Sequence, residues 1–585
     1  MPEGIVQTQV KDAIHHALSM AKEQGQLTAS SLPSPTLELP KREEWGDFAC
    51  NVAMAMAKVE HRSPVEIASL LAEHLKEART VIEHVEVANP GFLNLTLVPS
   101  VWFAVLYDIE EKGKDYGRSE MGHGQRVLLE YVSANPTGPL HLGHGRGAAL
   151  GDALSRMLQA VGYEVEREYY INDAGRQIKL LAASVFARYQ ELQGRCVTFP
   201  EDGYHGHYIQ TVAKHIADQF GASLLDISAS EAEERCGRLA YEELLTSIRE
   251  DLRSFRVEFD SWFSEAELYA SGKVQQALAT LRERELAFEQ EGALWFRSSQ
   301  FQDDKDRVVC KQDGDYTYLA SDIAYHQDKL KRGFDRLLNV WGADHHGYVS
   351  RMQGAVQAFG YPKDRLQMVL VQMVSLLRDG KKVEMSKRSG EFVTLQEVVK
   401  EVGVDAARFF FLMRRADSHL EFDVELAKRQ STENPVYYVQ YAHARLSSLF
   451  RTAQARGVVM CTGRDVTLTA LTQPEELRLI KHLSQFPDLV ESCARFLEPH
   501  RLPFYLQELA GNLHVFYYKH RVLPLDKEDE VAGQPSIVGA KAYSAKSREV
   551  FSFEVMQARL FLLQQVQTVL RNGLELLGIR APEQM

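Results

Sequence analysis

The stretch that most constrains the fold runs from Val127 to Leu158, VLLEYVSANPTGPLHLGHGRGAALGDALSRML. Residues 127–132 alternate weakly and are rich in Val, Leu and Tyr, which suits a strand. Asn135, Pro136, Gly138 and Pro139 then favour turns. From Gly143 a helical pattern follows, with Ala149, Leu150, Ala153, Leu154, Met157 and Leu158 on one face. YEVEREYYI at 163–171 reads as a second strand. A β-loop-α-β unit with so short a crossover implies a parallel sheet, and therefore an α/β core.

His141-Leu142-Gly143-His144 sits where loop becomes helix. The unpaired amides of a helix N-terminus carry partial positive charge and receive phosphate readily. Gly143 and Gly145 remove side chains, so a nucleotide can approach the backbone. Two imidazoles three residues apart can donate hydrogen bonds as charge moves onto a triphosphate. A bare HxxH also suits capping or core histidines, or half a zinc site. The strand-loop-helix context favours the nucleotide.

With 585 residues, 45% hydrophobic and 25% charged, the chain has room for three or four domains. It contains no apolar run of about 18 residues, so no membrane span is expected. The N-terminus, MPEGIVQTQVKDAIHHALSM, lacks the basic start, apolar centre and cleavage site of a signal peptide. Six cysteines (Cys50, Cys196, Cys236, Cys310, Cys461, Cys493) are scattered without CxxC spacing. That pattern predicts a reducing, cytoplasmic setting and argues against a disulfide frame or a Cys-type zinc site. Net charge is −13, yet residues 434–585 hold 17 Lys and Arg against 15 Asp and Glu. The last part of the chain repels phosphate less than the rest.

Residues 1–118 read as a small α+β domain. Helices are expected over 5–22, Asp47–Val59 and near 100–112, and strands at 81–88 and 91–98 meet in the turn Asn89-Pro90-Gly91. Residues 119–177 form the first half of the core. Residues 178–300 are polar and mostly helical, as an inserted subdomain would be. The HGH at 205–207 has no third ligand nearby and reads as a surface loop. The core resumes over 301–433. There LLNVWG (337–342) reads as a buried strand, with Asp344 just past its carboxyl end, where open α/β sheets place their ligands. A carboxylate there accepts from a ribose hydroxyl or caps the next helix. LQMVLVQMV (366–374) is a further strand, followed by a basic loop with Lys381, Lys382, Lys387 and Arg388 between Gly380 and Gly390. Helical periodicity at 433–450, 474–496, 499–521 and 547–578 makes residues 434–585 an all-α bundle, with Tyr437, Tyr438, Tyr441, Phe516 and Tyr517 as expected core.

The HxGH segment resembles the HIGH signature of class I aminoacyl-tRNA synthetases. The longer string SANPTGPLHLGHGRGAALGD closely resembles the bacterial arginyl-tRNA synthetase family. REYYINDAGRQ (167–177), EWGDFACNVAMAMAK, NPGFLNLTL and the terminal NGLELLGIRAPEQM are similar to the same family, so the resemblance spans nearly the whole chain. It implies a Rossmann-like parallel-sheet catalytic core with an inserted subdomain. Residues 1–118 then contact the tRNA elbow and residues 434–585 bind the anticodon.

The HIGH region comprises Ala134, Asn135, Pro136, Thr137, Gly138, Pro139, Leu140, His141, Leu142, Gly143 and His144. Glu384, Met385, Ser386, Lys387 and Arg388 resemble the KMSKS loop. Glu384 replaces its first lysine, so catalytic weight falls on Lys387 beside His141 and His144; whether Lys381 or Lys382 restores the missing charge stays open. ATP is expected at His141, Gly143, His144, Asp344 and Lys387, the GADHH string favouring a substrate role for Asp344.

Arginine is planar, always charged and satisfied by bidentate acids. By resemblance it is expected at Glu130, Ser133, Asn135, Tyr318 and Asp322, the last two sharing a helix face four residues apart. The implied activity is ATP-dependent attachment of L-arginine to tRNA(Arg) through arginyl-adenylate by a monomer. Mg²⁺ is carried in with ATP rather than held in a protein cage. The rival readings are a small-molecule nucleotidylyltransferase, disfavoured by the large helical domain, and a non-catalytic tRNA-binding protein, disfavoured by intact His141, His144 and Lys387.

Overall fold

The computed structural model describes residues 4–40, 42–383, 393–524 and 552–585. The chain opens with α1 (Ile5–Glu23), whose Val6, Val10, Ile14, Ala17, Leu18 and Ala21 form one buried stripe. A small antiparallel sheet follows: β1 (Leu37–Glu38), β2 (Phe48–Cys50), β3 (Ile82–Ala88) and β4 (Phe92–Leu97), in the order β1-β2-β4-β3. The helices α2 (Val52–Glu60), α3 (Pro64–Leu75) and α4 (Pro99–Lys112) complete this unit.

The helix expected over Asp47–Val59 is therefore part strand. Phe48 and Cys50 bury their side chains in β2 against Leu95 and Leu93 of β4, and helix begins only after Asn51. The α3 helix was missed at the sequence level, although Ser63 caps it, accepting from the Glu66 amide, and Pro64 occupies its first turn.

The catalytic core is built on β5 (Arg126–Glu130), α5 (Leu142–Ala160) and β6 (Glu164–Ile171), with β5 and β6 parallel. β5 stops at Glu130, because Val132 and Ser133 adopt left-handed backbone (φ 67° and 41°). Three helices follow, α6 (Arg176–Leu192), α7 (His207–Phe220) and α8 (Ala229–Ser254), around a separate core of Leu181, Val185, Ile209, Val212, Ala232 and Cys236.

The expected insertion, 178–300, cuts across α6 and also encloses β7 (Ser261–Ser264), which pairs in parallel with β6 and belongs to the central sheet. Four residues, SWFS, are too few to stand out from their polar surroundings. Beyond them lie α9 (Glu265–Ala270), α10 (Lys273–Glu283) and a three-stranded antiparallel sheet of β8 (Ala287–Gln290), β9 (Ala293–Phe296) and β10 (Arg307–Cys310). The chain then forms α11 (Tyr318–Lys331), β11 (Arg336–Gly342), α12 (Val349–Ala358) and β12 (Leu366–Val371). The central sheet is wholly parallel, in the order β12-β11-β5-β6-β7. β5 therefore marks the switch point, where the carboxyl ends of β5 and β11 leave a crevice.

The strand expected over 366–374 splits. Gln372 turns its amide to the Ala416 carbonyl and its carbonyl to the Arg146 guanidinium, so β13 (Val374–Arg378) joins another sheet. That sheet holds β14 (Lys381–Lys382) and β15 (Leu420–Asp423), with α13 (Leu395–Val402), α14 (Val404–Leu412) and α15 (Val424–Lys428) around it. The helical region comprises α16 (Pro435–Ala455), α17 (Pro474–Ser484), α18 (Phe486–Phe496), α19 (Arg501–Lys519) and α20 (Phe553–Leu576). The single helix expected over 474–496 breaks at Gln485, where Pro487 cannot supply an amide to the ladder.

Candidate active site

A cleft of about 1180 Å³ opens at the switch point. Its walls include Glu130, Ser133, Ala134, Asn135, His141, Leu142, Gly143, His144, Asp322 and Asp344. Sequence reasoning thus gathered one site from three separate segments. Pro136, Thr137, Gly138, Pro139 and Leu140 support the loop from behind and do not line the cleft. Tyr318 does not line it either: α11 begins at this residue, no preceding turn backs its side chain, and it is 59% exposed. Glu384, Met385, Ser386, Lys387 and Arg388 lie outside the described residues. Lys381 and Lys382 are exposed on β14, away from the cleft wall.

His141 is the N-cap of α5. Its Nδ1 accepts from the amides of Gly143 (3.1 Å) and His144 (3.4 Å), while Nδ1 of His144 accepts from the His141 amide (3.3 Å). The result is a capping box made from two imidazoles, their rings stacked with centroids 3.6 Å apart. With Nδ1 accepting, each neutral ring carries its proton on Nε2 and is a donor there. Capping through Nδ1 therefore does not exclude a nucleotide role through Nε2.

The glycines also have a steric reason within the fold. A Cβ at Gly143 would fall 3.0 Å from the His141 ring, and one at Gly145 would fall 2.6 Å from Leu395. Asp344 caps neither its own short 3-10 turn nor α12, which removes the capping alternative.

The acids behind the cleft are not equivalent. One oxygen of Glu130 is bound by Lys329 Nζ at 2.5 Å and the other accepts from Ser133 Oγ at 3.2 Å. Lys329 is fully buried and also donates to Asn339 Oδ1 at 3.1 Å. Glu130 is thus already paired with a cation. Asp322 accepts from the Tyr348 hydroxyl at 2.7 Å, and no cation pairs with it among the described residues. Burial first, then the charges of Glu265 and Glu130, push its carboxyl up to about 7.

Glu265 was missed in the sequence. It is 2% exposed at the junction of β7 and α9, one of its oxygens has no hydrogen-bond partner, and burial raises its pKa. The available signal was a strand followed by the Ser264 cap, SWFS-E, which places Glu265 at the carboxyl end of a sheet strand. Gln177 was missed too; its Oε1 accepts from Asn135 Nδ2 at 2.7 Å.

A parallel sheet with an HxGH helix start after its central strand, opening on a cleft with a buried acid, is the arrangement expected of a class I aminoacyl-tRNA synthetase. Matches to known families agree across the length of the chain. The class I tRNA synthetase (R) catalytic domain matches residues 107–415, the arginyl tRNA synthetase N terminal domain residues 6–97, and the DALR anticodon binding domain residues 439–534 and 544–585. An arginine–tRNA ligase of Syntrophotalea carbinolica is 47% identical, covering 98% of this chain and 99% of the relative. One from Citrifermentans bemidjiense is 49% identical over 96% and 97% of the two chains. The Thermus thermophilus arginyl-tRNA synthetase superposes with a TM-score of 0.71 at 24% identity, covering 98% and 99%, a likeness of fold. The chain belongs to the arginyl-tRNA synthetase family.

Proposed function

We propose that the protein attaches L-arginine to tRNA(Arg) in two steps. In the first, a carboxylate oxygen of arginine attacks the α-phosphorus of ATP, the bond to the β-phosphate breaks, and pyrophosphate leaves with the electron pair. In the second, the 2′-hydroxyl of the terminal adenosine attacks the acyl carbon and AMP leaves. Positioning and charge stabilisation carry both steps.

The observation that carries the reading is Asp322, a buried acid with no cation paired to it among the described residues, in the wall of a cleft that also holds His141 and His144; Glu265, buried outside that wall, adds its negative charge to the same region. A guanidinium supplies the missing charge and several donors. Ser133 and Asn135, on the loop leading to α5, line the same cleft as the histidines and would receive the amino-acid end, with Ser133 bonded to Glu130. The Nε2 donors of His141 and His144, together with Lys387, take the phosphate charge. Imidazoles and backbone amides are poor partners for a hard cation, so Mg²⁺ belongs to the ATP substrate and no step is routed through it.

Half-buried tyrosines of α16 support the RNA part of the reading. Tyr437 and Tyr441 stack at 6.1 Å, and Tyr438 lies 4.8 Å from His514 of α19, a surface suited to unstacked bases. Phe516 and Tyr517 are core. Residues 434–585 would take the anticodon arm and residues 1–118 the elbow. We also propose a cytoplasmic monomer; no helix among the described residues is long and apolar enough to cross a membrane.

Pyrophosphate exchange into ATP tests the proposal. Exchange should require arginine and tRNA together. Exchange with another substrate would indicate a nucleotidylyltransferase, and none at all a binding protein.

A further inference from the structure

The loop between β5 and α5 has little secondary structure of its own, yet three of its carbonyls hold donors from three distant elements. The Ala134 carbonyl accepts from the Tyr169 hydroxyl of β6 (2.8 Å), that of Thr137 from the Tyr208 hydroxyl of α7 (2.9 Å), and that of Leu140 from the Leu395 amide of α13 (2.8 Å). Two of these anchors belong to the catalytic core. The third, Tyr208, comes from the inserted helices and directly follows the His205-Gly206-His207 motif.

The fit around Tyr208 is specific. Its ring lies in a slot between two glycines. A Cβ on Gly206 would fall 2.3 Å from Cε1, and a Cβ on Gly138 of the loop would fall 3.1 Å from both Cζ and the hydroxyl oxygen. Real Cβ atoms essentially never approach within 3.0 Å, so Gly206 must lack a side chain for the ring to lie where it does. Gly138 leaves the hydroxyl end its access to the Thr137 carbonyl. Burial raises the Tyr208 pKa, so the hydroxyl stays a neutral donor at physiological pH. Tyr208 does not line the cleft. Its influence on the reaction runs through the loop that carries Asn135 and ends at His141.

We propose that Tyr208 is a positioning residue: the inserted helices use it to hold the Thr137–Gly138 segment, and through it the HIGH loop, in the geometry for adenylate formation. This rests on the reading of the cleft as the adenylation site. A displacement of under an ångström between reacting groups lowers rate more than affinity, so the kinetic signature lies in kcat.

Tyr208→Phe keeps the ring and removes one hydroxyl. With tRNA present, it should lower kcat for pyrophosphate exchange by about 5- to 10-fold, the scale of one neutral hydrogen bond. The KM for tRNA should stay within about twofold and the Tm nearly unchanged. Gly138→Ala, which crowds the hydroxyl end, should give the same pattern. The double variant should lose less than the product of the two single losses, because both strike one contact.

Wild-type kcat in Tyr208→Phe would overturn the proposal. So would losses that multiply, or that follow a drop in Tm without the kcat signature. Wild-type protein that fails to exchange would instead count against the adenylation site itself, so the two failures are distinguishable.

Discussion

Asp322 is held at a cost to the fold. Its ordinary carboxyl value of 3.8 rises to about 7 because burial and two neighbouring acids disfavour the charge. Well below its unfolded value of 3.8 the group is protonated in folded and unfolded chains alike and contributes no difference. As pH rises toward 7 the unfolded chain ionises first, so stability is lost across that window and the loss is complete above 7. Asp322→Asn should therefore melt higher than wild type at pH 8 and converge with it near pH 4, in the absence of arginine. Arginine affinity should fall by about 10- to 150-fold in the same variant, the scale of one charge-assisted hydrogen bond. A lower Tm at pH 8 would show that the carboxylate is compensated after all.

Glu130 and Glu265 separate by the same logic. Glu130→Gln strands the buried Lys329 ammonium and should cost about 3–5 kcal/mol in urea unfolding. Glu265→Gln strands no cation; it should melt no lower than wild type at pH 8 while weakening arginine more than citrulline. Equal losses of stability in the two variants would contradict the assignment.

At the scale of elements, the HIGH helix is bolted to distant parts of the chain. Arg408 of α14 is fully buried; it pairs with Asp152 of α5 and donates to the Phe255 and Leu577 carbonyls at 3.1 and 3.0 Å. Gly578 is pressed against its guanidinium so closely that a Cβ would overlap it. Arg256 adds a bond from the inserted region to Asp405 at 2.5 Å, and Asp405 also receives Arg580. Arg408→Ala leaves Asp152 with only Arg156 and the Phe255 and Leu577 carbonyls without their donor, and should lower unfolding free energy by about 2–4 kcal/mol; a change below about 1 kcal/mol would refute the clamp.

Such long-range pairs are invisible in sequence, because nothing local marks Arg408 as buried. The β5-loop-α5-β6 unit was legible, since turn residues and the change from strand to helix period occur within one stretch. β7 and Glu265 were not, because a four-residue strand inside a polar insertion gives no periodicity. Tyr318 shares the Asp322 face by helix spacing, but it stands at the helix start with its side chain exposed, so spacing alone does not bring it into the cleft wall.

For the whole molecule, the helical region is part of the core's frame, and on the proposed reading it is the RNA surface as well. Excising residues 434–585 would remove the Leu577 and Gly578 carbonyls from Arg408 and Arg256, so surface substitutions are the cleaner probe. Tyr437→Ala and Tyr441→Ala should each raise the KM for tRNA by about 10-fold, the scale of one lost base stack, with kcat of charging nearly unchanged. An unaltered KM would move the anticodon surface elsewhere. Arginine specificity requires that the cleft read the positive charge of its amino acid. Citrulline has nearly the shape of arginine but no charge, and would leave Asp322 and Glu265 uncompensated. The decisive measurement is kcat/KM for charging tRNA(Arg) with each: arginine should exceed citrulline by about 10⁴-fold or more, as in sites built around buried polar groups, whereas comparable values would contradict the acid pocket and with it the proposed function.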